Sequence, residues 1–290
     1  MEVQVEQFNG KIREIIPEKA PLEQIATGLG FTEGPLWRGD HLLFSDIPRS
    51  RIVRLRILSE GPEITTFRSP SGNSNGLTLE KNGRLIACEH GTRRVTRTEI
   101  DGSVSVLADR YEGHRLNSPN DVVVRSDGSI YFTDPSFGLG TPPKWKELPY
   151  NGVYRITPDG ELVLLVDDFD LPNGLAFSPD ESVLYINDTA RGHIRAFDVG
   201  QDGNISNGRV FVELKGEEAG RPDGMKVDQQ GNVYCTGPGG IWVTGPDGKN
   251  LGRVMMPEQP SNFAWGDADW QTLYITARTS IYRMKLLVPG

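Results

Sequence analysis

Six oxygen-bearing side chains recur in one register of this chain: Glu33, Asn75, Asn120, Asn173, Asp223 and Asn262. Each opens a short apolar segment and stands 13 to 15 residues before the end of the next. Two are carboxylates, four are amides, and none is His or Cys. Gathered in one place, such a set suits a hard divalent cation. Ca²⁺ takes roughly six to eight oxygens from carboxylates, amide carbonyls and water, whereas structural zinc prefers Cys and His. Ca²⁺ is the favoured ion, with Mg²⁺, Mn²⁺ and Zn²⁺ as alternatives. Glu33 and Asp223 would supply two balancing charges; buried face to face without a cation, one of them would have to hold a proton. A cation held there polarises an ester or lactone carbonyl and stabilises the oxyanion. Asp223, beside it, can take a proton from attacking water. His90, in the Glu89-His90-Gly91 turn, is the competing base. Asn-Gly and Asp-Gly are also ordinary turn dipeptides, so no single member of the set is informative. The shared register is.

That register comes from a repeat. An apolar strand recurs as LLFSD, LIACE, IYFTD, LYIND, VYCTG and LYITA, ending at Asp46, Glu89, Asp134, Asp188, Gly237 and Ala277. The steps are 43, 45, 54, 49 and 40 residues, the period of a four-stranded propeller blade. Before each strand lies another (GPLWR, GLTLE, DVVVR, GLAFS, GMKVD, NFAWG) and a tight polar turn. A third strand follows in every repeat, and a fourth in five. The sixth repeat stops after its third strand, and the segment from Leu22 can supply the missing one and close the ring. The expectation is an all-β, six-bladed β-propeller of four antiparallel strands per blade, spanning residues 1–290 as one domain with 1–20 as an N-terminal extension. The opening strands of the blades then converge on one mouth of the central channel. Residues 135–152, an insertion in blade 3 carrying Phe137, Trp145 and Tyr150, form a candidate substrate wall or partner contact. Residues 200–208 read as a polar surface hairpin. Asp46, Asp134 and Asp188 read as strand-end caps.

Composition closes other routes. The formal charge is −8, so the basic footprint of nucleic-acid binding is missing. No apolar stretch approaches the roughly 18–20 residues of a membrane-spanning helix, and the polar N-terminal segment has no signal-peptide core. Gly (34) and Pro (20) are too frequent for a helical protein. Two cysteines, Cys88 and Cys235, fall on blades 2 and 5, opposite one another, and read as buried free thiols of a cytoplasmic protein. No Gly-x-Ser-x-Gly elbow and no phosphate-binding Gly-rich loop occurs.

Glu33-Gly-Pro, Arg115-LNSPND, Leu171-PNG and Arg221-PDGM, in that order, resemble the SMP-30/gluconolactonase/luciferin-regenerating family over nearly the whole chain from residue 27. The resemblance implies a metal-dependent hydrolase that opens a sugar lactone such as glucono-1,5-lactone. By it, Glu33, Asn173 and Asp223 hold the metal, Asn120 lies beside metal and substrate, and Asp223 carries the proton. Ser118 stands where the family has the Arg of its Arg-x-Asn substrate motif, and Arg115 is the candidate replacement. Asn75, Asn120 and Arg115 are accordingly the expected substrate-binding residues. Another aldonolactone or a phosphotriester is the alternative substrate. A non-catalytic binding propeller, its metal only pinning the channel, is the alternative class. The expected partner is a small-molecule lactone, with no nucleic acid and no membrane; oligomeric state is left open.

Overall fold

A computed structural model describes residues 1–290. It is all-β: six sheets stand around a channel, each an antiparallel meander running outward from an innermost strand. The innermost strands are Thr32–Arg38, Ser74–Leu79, Val122–Val124, Pro172–Phe177, Met225–Val227 and Pro260–Gly266, opening blades 1 to 6. Each contacts the next in cyclic order, and the last contacts the first, so the ring closes. The missing strand of blade 6 is Glu23–Ala26, paired with Ser280–Lys285, as the repeat count required.

The second strand of every blade is buried on both faces. Alternate side chains point to opposite neighbours. Leu42 and Phe44 pack toward blade 6 and Leu43 toward blade 2; Ile130 and Phe132 pack toward blade 2 and Tyr131 toward blade 4. Both neighbours are apolar, which is why the sequence shows an unbroken apolar run rather than alternation. Six apolar clusters result, one per blade interface. The outermost strands face solvent on one side and do alternate, as in Val104–Ala108.

The N-terminal extension is woven into the ring. Gln4–Gln7 pairs with Asn250–Met255 as a fifth strand of blade 5. A single helical turn, Ile12–Ile15, buries Ile12 and Ile15, and with Ile16, Ala20 and Leu22 it joins the largest apolar cluster, between blades 5 and 6. No helix is long and apolar enough to cross a membrane. Cys88 and Cys235 are buried and unpaired, in separate blade interfaces.

The acidic residues that end the second strands are loop clamps. The Asp134 carboxylate accepts the backbone N–H groups of Asn117 and Ser118, both at 2.7 Å. That of Asp188 accepts four, from Asp170, Leu171, Ala190 and Arg191. Glu89 is held by Arg68, Arg94, Thr92 and Thr96. Asp188→Ala removes a buried acceptor from four half-buried backbone donors, a buried donor left unpaired costing about 1–3 kcal/mol and a partly solvated one less. The variant is expected to lose about 3 kcal/mol or more, read as a fall in the urea midpoint; an unchanged midpoint would contradict the clamp.

Candidate metal and active site

Four of the six ring residues, Glu33, Asn75, Asn173 and Asn262, open their strands at irregularities. Pairing between first and second strands slips at Glu33/Leu36, Ser74/Leu77 and Pro172/Leu175. Such bulges re-aim one side chain out of the pleat, here into the channel mouth. The dipeptides Asn75-Gly76 and Asn173-Gly174 are therefore bulged strand starts and not turns, and Asp223-Gly224 leads directly into the strand Met225–Val227. Their glycines are needed for close approach between blades. Gly76 N–H donates to Asn120 O at 2.8 Å, and Gly174 N–H to Asp223 O at 3.1 Å. A Cβ at Gly174 would lie 2.3 Å from Asp223 O, and one at Gly34, whose φ is +52°, 2.1 Å from Asn75 O.

A second set of residues stitches the ring and escaped the sequence reading. One position before the end of each second strand stand Ser45, Cys88, Thr133, Asn187, Thr236 and Thr276, small or polar in every blade. Three of them hold the backbone carbonyl of the next blade's site residue. Ser45 Oγ donates to Asn75 O (2.8 Å), Thr133 Oγ1 to Asn173 O (2.8 Å), and Asn187 Nδ2 to Asp223 O (2.6 Å). The signal was the recurrence of small polar residues inside otherwise apolar strands.

Glu33, Asn75, Asn120, Asn173 and Asp223 line one cavity of about 610 Å³ at this mouth, together with His90, Thr189 and Arg221. Phe31, Ile47, Phe137 and Ala219 supply its apolar wall, so the blade 3 insertion contributes Phe137. Trp145 from the same insertion is exposed and lies outside it. Arg115 does not line the cavity. Its guanidinium donates to Thr92 O at 2.9 Å in a neighbouring cleft that shares only His90 with the site. The guanidinium at this mouth is Arg221, which makes no ion pair; the family-like Arg221-PDGM motif carried that signal. Asn262, the sixth ring member, sits behind Glu33 and not on the cavity wall.

Glu33 is buried and Asp223 half-buried beside it, and neither forms an ion pair. Burial raises the Glu33 carboxyl well above its ordinary range, reinforced by the charges of Asp223 and Asp121. Burial likewise pushes Asp223 up to about 7, opposed by hydrogen bonds from Asn173 and Glu33. Asp121, a third carboxylate and itself buried, accepts Val122 N–H with one oxygen and leaves the other without a hydrogen bond, 4.0 Å from Lys226 Nζ. The molecule thus concentrates negative charge where solvation is poor.

The donors fit a divalent cation. Asn173 Nδ2 donates to Thr189 Oγ1 (3.1 Å), so its Oδ1 is the free acceptor. No cluster of three or more His, Cys, Asp or Glu side chains poised for a metal occurs, so amide oxygens must complete any coordination. Asn75 Nδ2 donates to His90 Nε2 at 3.2 Å, which makes Nε2 the acceptor and leaves the ring proton on Nδ1. Burial lowers His90 to about 4, so the ring is neutral at neutral pH.

Comparison with known proteins agrees with this architecture. Residues 31–279 match the SMP-30/Gluconolactonase/LRE-like region. A gluconolactonase of Zymomonas mobilis is 35% identical, over 97% of this chain and 85% of that protein. Rabbit (Oryctolagus cuniculus) regucalcin is 30% identical, over 84% of this chain and 82% of its own. A solved gluconolactonase of Xanthomonas campestris superposes with a TM-score of 0.88 at 35% identity, over 99% of this chain and 95% of that one.

Proposed function

The chain belongs to the SMP-30/gluconolactonase/LRE-like family, and from that premise we propose that it hydrolyses a sugar lactone such as glucono-1,5-lactone to the aldonic acid, at a divalent cation held in the channel mouth. One observation carries the site assignment: a buried carboxylate, Glu33, and a half-buried one, Asp223, adjoin without any cationic partner at the floor of a cavity large enough for a sugar ring. Glu33, Asn120, Asn173 and Asp223 are the proposed ligands, and Ca²⁺ the favoured ion. When bound, the cation supplies Lewis acidity to the lactone carbonyl and stabilises its oxyanion.

The protein's own residues do the rest. Asn75 and Asn120 offer amides to the sugar hydroxyls, and Arg221 brings the guanidinium that Arg115, turned into its own cleft, does not. The apolar wall of Phe31, Ile47 and Phe137 sheds water from the ring face. Asp223 receives the proton of the attacking water. His90 is the weaker candidate, because its Nε2 lone pair is occupied by Asn75 and burial depresses its basicity. His90→Ala is expected to leave kcat within about threefold of wild type, against the 10²–10⁴-fold that loss of a general base costs; a hundredfold fall would transfer the role to His90. The free buried thiols suit a reducing compartment, and the cytoplasm is the proposed location.

The functional test is acid release from glucono-1,5-lactone above spontaneous hydrolysis, run beside a pentonolactone and a phosphotriester. Turnover of the sugar lactones supports the reading. Turnover of the phosphotriester alone would replace it, and turnover of none would point to a binding propeller.

A further inference from the structure

The floor of the site continues below Glu33 and Asp223 into a hydrogen-bonded chain that crosses three blades. Asn262, on the innermost strand of blade 6, is buried to 2% exposure. Its Oδ1 accepts two donors, Phe263 N–H at 2.9 Å and Lys226 Nζ at 3.2 Å. With Oδ1 so engaged the amide cannot rotate, and Nδ2 is left to donate to Glu33 Oε2 at 3.1 Å. The same oxygen accepts Gly34 N–H at 2.6 Å. Glu33 Oε2 is thereby occupied twice, and Oε1 is the oxygen left to face Asp223 and the cavity.

The packing admits this arrangement and little else. A Cβ at Gly224, the residue after Asp223, would lie 2.1 Å from Asn262 Cγ. The Asn262 amide is therefore seated against the backbone that carries the second carboxylate. Lys226 also donates to its neighbour's carbonyl, Met225 O, at 3.0 Å, and lies 4.0 Å from Asp121. It is the cation that anchors the chain from the opposite end of the channel, whose apolar mouth it also lines.

We infer that Asn262, held by Lys226, is a positioning residue that fixes which oxygen of Glu33 faces the channel mouth and so tightens cation binding there. The inference rests on the cation site proposed above. Hydrogen bonds of this kind behind a metal ligand are typically worth about 10–100-fold in affinity.

Isothermal titration of chelator-stripped protein with CaCl₂, and in parallel with MnCl₂, tests it. Asn262→Leu removes the donor while keeping the branching and the number of side-chain heavy atoms, and is expected to weaken binding about tenfold or more. Lys226→Met is expected to weaken it in the same direction by about threefold to tenfold, and Lys226→Arg, which keeps a donor, to restore it. Because Lys226 acts through Asn262, the double variant Asn262→Leu/Lys226→Met should bind no more weakly than Asn262→Leu alone. Should Asn262→Leu fail to fold, Lys226→Met and Lys226→Arg carry the test. A wild-type chain that binds the cation with an affinity matched by the single variants would overturn the inference and leave the site standing. Additive losses would break the link from Lys226 to Asn262. A wild-type chain that binds neither cation would remove the site itself, and the inference with it.

Discussion

Asp223→Asn is expected to lower kcat for lactone hydrolysis by about 10³-fold or more, while the thermal midpoint stays close to that of wild type. The two halves of this expectation come from different atoms of one residue. The carboxylate is the proposed ligand and the proposed proton acceptor; an amide keeps an oxygen but gives up the charge and nearly all the basicity. What the fold uses is the backbone carbonyl of Asp223, which accepts Asn187 Nδ2 at 2.6 Å and Gly174 N–H at 3.1 Å. Those bonds survive the substitution. Replacing one of two adjoining carboxylates also relieves a repulsion, so stability has no reason to fall. Steady-state kinetics and a melt on the same preparation check both halves. Retention of more than about a tenth of wild-type kcat would remove Asp223 from the chemistry.

Glu33→Gln separates affinity from stability in the opposite sense. The variant is expected to bind the cation about 100-fold more weakly, since a charged ligand is lost. In chelator it should be more stable than wild type. Its amide oxygen can still take Gly34 N–H and Asn262 Nδ2, and its amide nitrogen can donate to Asp223, so every donor keeps an acceptor. The advantage depends on pH. Because burial raises the folded-state pKa of Glu33, the wild-type fold carries no penalty below the ordinary carboxyl range near 4.5 and loses stability as pH rises above it. Glu33→Gln lacks that loss, so its margin over wild type should be small near pH 4 and grow toward pH 8, reaching about 1–3 kcal/mol. Urea denaturation in chelator at the two pH values measures it. A variant less stable than wild type at pH 8 would mean that the charge is compensated in the empty site.

Much of this molecule was legible from the spacing of a single apolar strand. A strand buried on both faces, such as Leu42–Phe44, must be apolar at every position, and six copies at blade-length spacing leave few alternatives to a propeller. Blade 6 lacked an outer strand in sequence, and Glu23–Ala26 fills it. Register also brought Glu33, Asn75, Asn120, Asn173 and Asp223 to one cavity. Direction was harder to read. Arg115 precedes Asn120 by only five residues, yet the loop held by Asp134 turns its guanidinium into another cleft. Asn262 shares the register but faces the back of Glu33, because Lys226 and Phe263 N–H fix its amide. Asp121 and Lys226 stayed hidden because a buried carboxylate and a half-buried lysine leave no periodic trace. The N-terminal extension, read as an appendage, is a fifth strand of blade 5, since edge pairing follows no local sequence pattern.

The carboxylate pair at the channel mouth is proposed to work by holding a divalent cation. The most direct test is to strip the protein with chelator, follow acid release from glucono-1,5-lactone, and add back Ca²⁺, Mg²⁺, Mn²⁺ and Zn²⁺ one at a time. Activity should vanish on stripping and return saturably with Ca²⁺ or another of these ions, and the same addition should fail to rescue Glu33→Gln at equal concentration. Full activity in the stripped protein, with no response to any ion, would contradict the account.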